Sequence, residues 1–84
     1  MMENKLYLEV VTPEKIIFTG HVALVHVPGS AGSFAILKNH APIVAALKKG
    51  EIRVEGLDGR EYLFECENGV VECLRNRVTV LIEK

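Results

Sequence analysis

Tryptophan is absent from this chain of 84 residues, and only two tyrosines and three phenylalanines carry phenyl rings. A core must therefore be built from Val, Ile, Leu and Ala, and that β-branched bias favours strands. No charge of one sign is clustered. Ten Lys or Arg and eleven Asp or Glu are interspersed, for a formal net charge of −1. Without a basic surface, a nucleic-acid partner is not expected, because phosphate binding needs grouped cations. The same absence argues against a basic helix lying on a membrane. Long apolar runs are also missing. The longest stretch free of Lys, Arg, Asp and Glu, residues 16–37, contains His, Gly, Pro and Ser and is no membrane span. Met1-Met2-Glu3-Asn4-Lys5-Leu6 lacks the apolar core of a leader, so a cytoplasmic protein is expected. One domain over residues 1–84 is expected. A domain this small is marginal unless a disulfide, a metal or a partner supports it.

Cysteine is scarce too. Cys66 and Cys73 flank Asn68-Gly69, and Asn-Gly between apolar runs signals a two-residue hairpin. That turn would pair Glu67 with Val70, Cys66 with Val71 and Phe64 with Cys73. It would also set Glu65 opposite Glu72 on the other face, an unfavourable pairing of like charges. The two thiols are read as buried, reduced and hydrophobic in role. Diagonal neighbours are poorly placed for a disulfide, and six intervening residues do not match the spacing of a zinc site.

What is present is alternation. Leu6, Leu8 and Val10 alternate with Tyr7, Glu9 and Val11, so residues 5–11 read as a strand. Thr12-Pro13-Glu14-Lys15 follows as a turn, with Pro13 ending the ladder. Further strands are expected over residues 15–19, 21–27, 34–37, 43–47, 51–55, 61–66, 70–74 and 78–83. Gly20 is expected to separate the second strand from the third. Lys48-Lys49-Gly50 reads as a turn, Asp58-Gly59 as a hairpin turn and Arg75-Asn76-Arg77 as the last turn. Short strands at this turn spacing indicate an all-β protein, a small sandwich of about ten mostly antiparallel strands.

Residues 27–47 hold the least ordinary pattern, with two of the three prolines and two of the seven glycines. The chain leaves an apolar strand, crosses Gly29-Ser30-Ala31-Gly32-Ser33, and turns again at Asn39-His40-Ala41-Pro42. A phosphate loop would open a helix and carry a Lys-Ser or Lys-Thr pair; here a short apolar strand follows. Ser30, Ser33, His40 and Asp58, the sole aspartate, supply the residue types of a nucleophilic triad, but nothing fixes that geometry. The serine hydroxyls are expected to bond local backbone. His40 precedes Ala-Pro and is read either as a bond to the turn backbone or as a polar contact to a partner. His21 and His26 are five apart and point to opposite faces of a regular strand, so they do not chelate a metal together. No catalytic, cofactor or metal site is assigned. A free-standing recognition module, such as a phosphopeptide binder, is the rival reading; it lacks an arginine near these loops.

The order and spacing of several motifs carry a family likeness. Leu8-Glu9-Val10-Val11-Thr12-Pro13-Glu14, Phe18-Thr19-Gly20, Val27-Pro28-Gly29-Ser30-Ala31-Gly32, Ile36-Leu37 and His40-Ala41-Pro42 come first. Leu47-Lys48-Lys49-Gly50-Glu51-Ile52-Arg53-Val54, Asn68-Gly69-Val70-Val71-Glu72 and Val78-Thr79-Val80-Leu81 continue it. Together they resemble the ε subunit of F-type ATP synthase over nearly the whole chain. The resemblance implies a non-catalytic β-sandwich in the central stalk of a rotary enzyme. It implies a subunit docked on γ and set over the polar loops of the c-ring, helping torque from ion flow reach the catalytic head. It implies that Ser30, Ala31, Gly32 and Ser33 face the ring, and that Thr12, His40, Ala41 and Pro42 lie toward γ. Membrane association would then come only through the complex, on the cytoplasmic face of a bacterial inner membrane.

Two departures matter. Ala31 and Ser33 stand where many members carry acids, so ring contact here is expected to rely on hydrogen bonding or packing. Lys38-Asn39 replaces a common Pro-Gly pair, and Asn tolerates the left-handed conformation that Gly would supply. Typical members also continue into an α-helical hairpin that inhibits ATP hydrolysis. A subunit ending at Lys84 is expected not to inhibit by that route.

Overall fold

The computed structural model describes residues 5–84. The leader reading rests mainly on residues 1–4, which lie outside the described residues. Eight strands follow in order: β1 (Leu6–Val11), β2 (Ile16–Val27), β3 (Phe34–Leu37), β4 (Ile43–Leu47), β5 (Gly50–Gly56), β6 (Glu61–Cys66), β7 (Asn68–Leu74) and β8 (Arg77–Glu83). The fold is all-β, and no helix occurs among the described residues.

The strands hydrogen-bond in the order β4-β7-β8-β1-β2-β5-β6, with β3 added beside β2. Every pairing is antiparallel except β1 with β8, which run parallel and join the two ends of the chain. β2 makes the two-layer arrangement possible. Its first part pairs with β1, and its last part lies between β3 and β5. A register shift between Val22 and Leu24 marks the change, and such a bulge bends and twists a strand locally.

The core follows the alternation. Leu6, Leu8 and Val10 of β1 meet Val78, Val80 and Ile82 of β8, Ile52 and Val54 of β5, and Val71 and Cys73 of β7, all buried. Phe18, Tyr62 and Phe64 pack ring on ring at the margin, with centroids 5.1 and 5.8 Å apart. That geometry suits aromatic quadrupoles.

Four expectations need correction. Gly20 does not separate two strands: it sits opposite Leu8 within the β1–β2 ladder, which is one reason for eight strands rather than about ten. Asn68-Gly69 is not a turn. Both residues belong to β7, opposite Glu83 and Ile82 of β8, and β6 pairs with β5 instead. Glu67 alone joins β6 to β7, its amide donating to the Glu83 carbonyl at 2.7 Å, so the chain crosses between layers there. The two-residue hairpin lies at Arg75-Asn76, with φ of 53° and 63°, as a type I′ connection requires. Glu65 therefore faces Glu51, while Glu72 lies between Val44 and Thr79. Finally, the bulge at residues 22–24 changes the parity of β2. Val22, Val25 and Val27 all point inward, so His21 and His26 both face outward.

Asp58-Gly59 does form the β5–β6 turn, with Gly59 at φ 86° and Gly56 and Arg60 bonded across it at 2.7 Å. Residues 43–47 are a strand, as expected.

Candidate functional site

Two loops and the sheet face between them form the candidate interface. The first loop, after β2, is held by backbone alone. The Ser30 amide donates to the Ala46 carbonyl at 2.9 Å and the Lys48 amide to the Pro28 carbonyl at 2.9 Å. These bonds flank a bridge between Gly29 and Leu47. Gly32 donates to the Gly29 carbonyl at 3.0 Å to close the turn. A side chain on Gly29 would collide with the Gly32 carbonyl oxygen and the Phe34 ring, so the tight approach requires glycine there. Ser30, Ala31, Gly32 and Ser33 are all exposed. The expected hydroxyl bonds to local backbone do not form among the described residues; the amides carry the turn instead.

The second loop joins β3 to β4 through Lys38, Asn39, His40, Ala41 and Pro42. His40 donates its amide to the Leu37 carbonyl at 3.1 Å. Its Nδ1 lies 2.7 Å from the Ala41 carbonyl. A carbonyl only accepts, so Nδ1 carries the proton there, and in the neutral ring Nε2 is an acceptor. The imidazole stands 6.4 Å from the Phe34 ring and is half-buried. Asn39 has φ 68°, as its residue type allows. Its amide and side chain both bond Asn76 of the β7–β8 turn, at 2.6 and 3.2 Å.

Thr12 lies apart from His40. Register aligns Val11 with Leu81, Ile82 with Gly69, and Gly69 with Leu47, which bridges Gly29. Thr12 is therefore at the same end of the sheet as the Ser30 loop. His40 is tied to the opposite end, where Asn76 meets Tyr7. Five residues of strand separate the two ends, about 17 Å at the usual rise. Thr12 itself closes its turn: its hydroxyl accepts from the Lys15 amide at 3.2 Å, and its amide donates to the Lys15 carbonyl at 2.8 Å.

Between those ends runs a feature that sequence reading missed. One row crosses five strands: Ala46 beside Val70, Val70 beside Leu81, Leu81 beside Val11, and Val11 beside Ile16. Ile16, Val70 and Leu81 are 58, 43 and 42% exposed. These residues are far apart in sequence and share a row only because of the strand order, so no local pattern marks them. At the His40 end the same face carries Tyr7, with His21 edge-on at 5.3 Å and the Arg77 guanidinium 5.2 Å from the ring centroid.

Asp58 serves its own turn. It accepts from the Arg60 amide at 3.0 Å and pairs with the Arg60 guanidinium at 3.3 Å, so the carboxylate a Ser-His-Asp set would use is already engaged. Glu61 pairs with Arg53 at 3.5 Å across β5 and β6, relieving the acidic face there.

Both thiols are free and buried. Burial pushes each above its ordinary value of 9.0; at Cys66 a backbone bond from Gly50 opposes this and the charge of Glu67 adds to it. A thiol kept neutral in the folded chain ionises first in the unfolded chain. Stability is thus full below pH 9.0 and falls as pH rises above it toward the raised folded values. Urea midpoints at pH 8 and pH 10 should differ more for the wild type than for a Cys66→Ala/Cys73→Ala double variant. Equal differences would contradict the assignment.

Residues 5–84 match the model of the ATP synthase delta/epsilon chain β-sandwich domain. The ATP synthase epsilon chain of Chlorobium limicola is 43% identical over 76 residues, covering 90% of this chain and 86% of that relative. The epsilon chain of Campylobacter fetus is 39% identical over 80 residues, covering 95% of this chain but 62% of the relative. Among solved structures, a chain in the Euglena gracilis mitochondrial ATP synthase (OSCP, F1 and c-ring) superposes with a TM-score of 0.91 at 17% identity. It aligns with 100% of this chain and 54% of its own length. A chain in the central stalk and c-ring of the Tetrahymena thermophila enzyme gives 0.82 at 13% identity, with 100% and 67% covered. At those identities the likeness establishes the fold. The family match and the close epsilon-chain relatives together establish that this chain belongs to the delta/epsilon family of ATP synthase.

Proposed function

We propose that this chain acts as a non-catalytic ε subunit of an F-type ATP synthase, coupling ion-driven rotation to ATP synthesis at the cytoplasmic face of a bacterial inner membrane. In this reading Ser30, Ala31, Gly32 and Ser33 rest on the polar loops of the c-ring, and Thr12, His40, Ala41 and Pro42 contact γ. The family match over residues 5–84 carries the reading.

The geometry supports it in three ways. The Ser30 loop is exposed and braced by β4, so it can transmit force without folding away. Ala31 and Ser33 carry no charge, so the contact works through backbone groups, hydroxyls and packing. Thr12 and His40 sit at opposite ends of one sheet, with the row of half-buried Val11 and exposed Ile16, Val70 and Leu81 lying nearer Thr12. An elongated partner lying along that face would meet both ends and cover the apolar row. Standard interfaces bury about 800 Å² per partner, a large share of so small a domain.

Affinity capture of the tagged chain from membranes of its own cell should recover γ and the c-ring. His40→Glu should reduce γ recovery about tenfold or more, because a carboxylate cannot donate to the Ala41 carbonyl and would bring an unpaired charge into the contact. Capture of neither subunit by the wild-type chain would overturn the reading.

A further inference from the structure

We infer that Asn76 is the positioning residue of the His40 turn: its buried carboxamide clamps Asn39 and thereby sets how His40, Ala41 and Pro42 are presented. The inference rests on the reading of that turn as facing γ.

Asn76 is the buried polar side chain among the described residues, at 2% exposure. Burying a carboxamide is costly unless both its donor and its acceptor are engaged. Here they are. Oδ1 accepts from the Asn39 amide at 2.6 Å, and Nδ2 donates to the Asn39 Oδ1 at 3.2 Å. The Asn76 carbonyl accepts from the Tyr7 amide at 2.8 Å, which anchors the clamp to the first strand. Its backbone is left-handed, at φ 63°, and its side chain bonds a loop 37 residues distant in sequence.

The clamp falls where the loop needs support. β3 pairs with β2 while β4 pairs with β7, so residues 38–42 pass between sheet positions without a ladder of their own. The local bond from His40 to Leu37 closes the turn but does not orient it. The bonds to Asn76 do, and they hold Asn39 at φ 68° directly before His40. Asn adopts that conformation readily but not exclusively, and the bond from its amide to the carboxamide selects it.

Asn76→Gly tests this cleanly, because glycine keeps the left-handed turn and removes only the carboxamide. Amide hydrogen exchange and γ affinity would be measured on the full chain with its cognate γ subunit. In Asn76→Gly, the Asn39 amide should exchange at least tenfold faster while amides of β1 and β8 stay protected. Binding to γ should weaken about tenfold, the effect of losing one to two hydrogen bonds. Asn76→Asp keeps an acceptor for the Asn39 amide, and burial favours its neutral form, whose hydroxyl can still donate to the Asn39 Oδ1; at about pH 5 it should retain γ affinity within about threefold, a rescue that mere turn stability would not predict. Unchanged exchange at Asn39 overturns the clamp. Faster exchange with unchanged γ affinity overturns its positioning role. If His40→Glu leaves γ binding intact, the γ-facing reading of the turn fails instead, and the exchange rates still decide whether the clamp exists.

Discussion

Gly69→Ala should cost this domain about 3 kcal/mol or more, a large part of its stability. A Cβ on Gly69 would overlap the backbone carbonyl oxygen of Leu81 and lie 3.2 Å from the Ile82 Cα. Neither atom can withdraw as a flexible side chain would. Moving Leu81 or Ile82 disrupts the β7–β8 ladder, and through β8 the parallel pairing with β1 that joins the chain ends. Asn68→Ala is the control. Asn68 is exposed at the start of β7, and its replacement should change stability by no more than about 0.5 kcal/mol. A turn at Asn68-Gly69 would make the asparagine matter, so urea melts of the two variants separate the alternatives. Comparable losses from both, or none from Gly69→Ala, would overturn the account of β7.

Leu8→Ala should be nearly as damaging, at about 3–4 kcal/mol. Leu8 is fully buried at the middle of β1, between Val78 of β8 and Gly20 of β2. Gly20 has no side chain to move into the space, so the cavity can collapse only partially. A domain of 84 residues has a total stability of about 4–13 kcal/mol. The loss is therefore a large part of the whole, lowering Tm by roughly 15–25 °C. Leu8→Met, which keeps the volume, should cost less than about 1.5 kcal/mol. A Tm for Leu8→Ala within a few degrees of the wild type would contradict the placement of Leu8. If the chain is held by γ as proposed, binding should restore part of the lost stability, since a partner that binds only the folded state stabilises it.

Much of the strand map was legible because alternation is local. Leu6, Leu8 and Val10, then Ile52 and Val54, then Val78, Val80 and Ile82 announce one buried face each, and all are buried. The Asp58-Gly59 turn was legible for the same reason. Asn68-Gly69 misled because a turn signal reports what the backbone can do, whereas Gly69 is needed for the close approach of β8. Arg75-Asn76 gave a weaker local signal yet forms the two-residue turn. Within the candidate site, the exposed loop at residues 30–33 and the left-handed Asn39 could be anticipated from composition. Asn76 could not, because its partner lies 37 residues away and the amide they share has no signature in either stretch.

Taken alone, the sequence determined where most of the strands lie, the buried faces of β1, β5 and β8, that charge is not clustered, and the family likeness. These depend on neighbours two to four positions apart or on motifs read in order. Tertiary structure decided the pairing. It ran β2 through Gly20 into both layers, set β8 beside β1, aligned Val11, Ile16, Val70 and Leu81 in one row, and buried Asn76 against Asn39. Pairing depends on which apolar faces can be buried together and on how closely two backbones can approach. Those are distances between residues remote in the chain, and they exist only once it has folded.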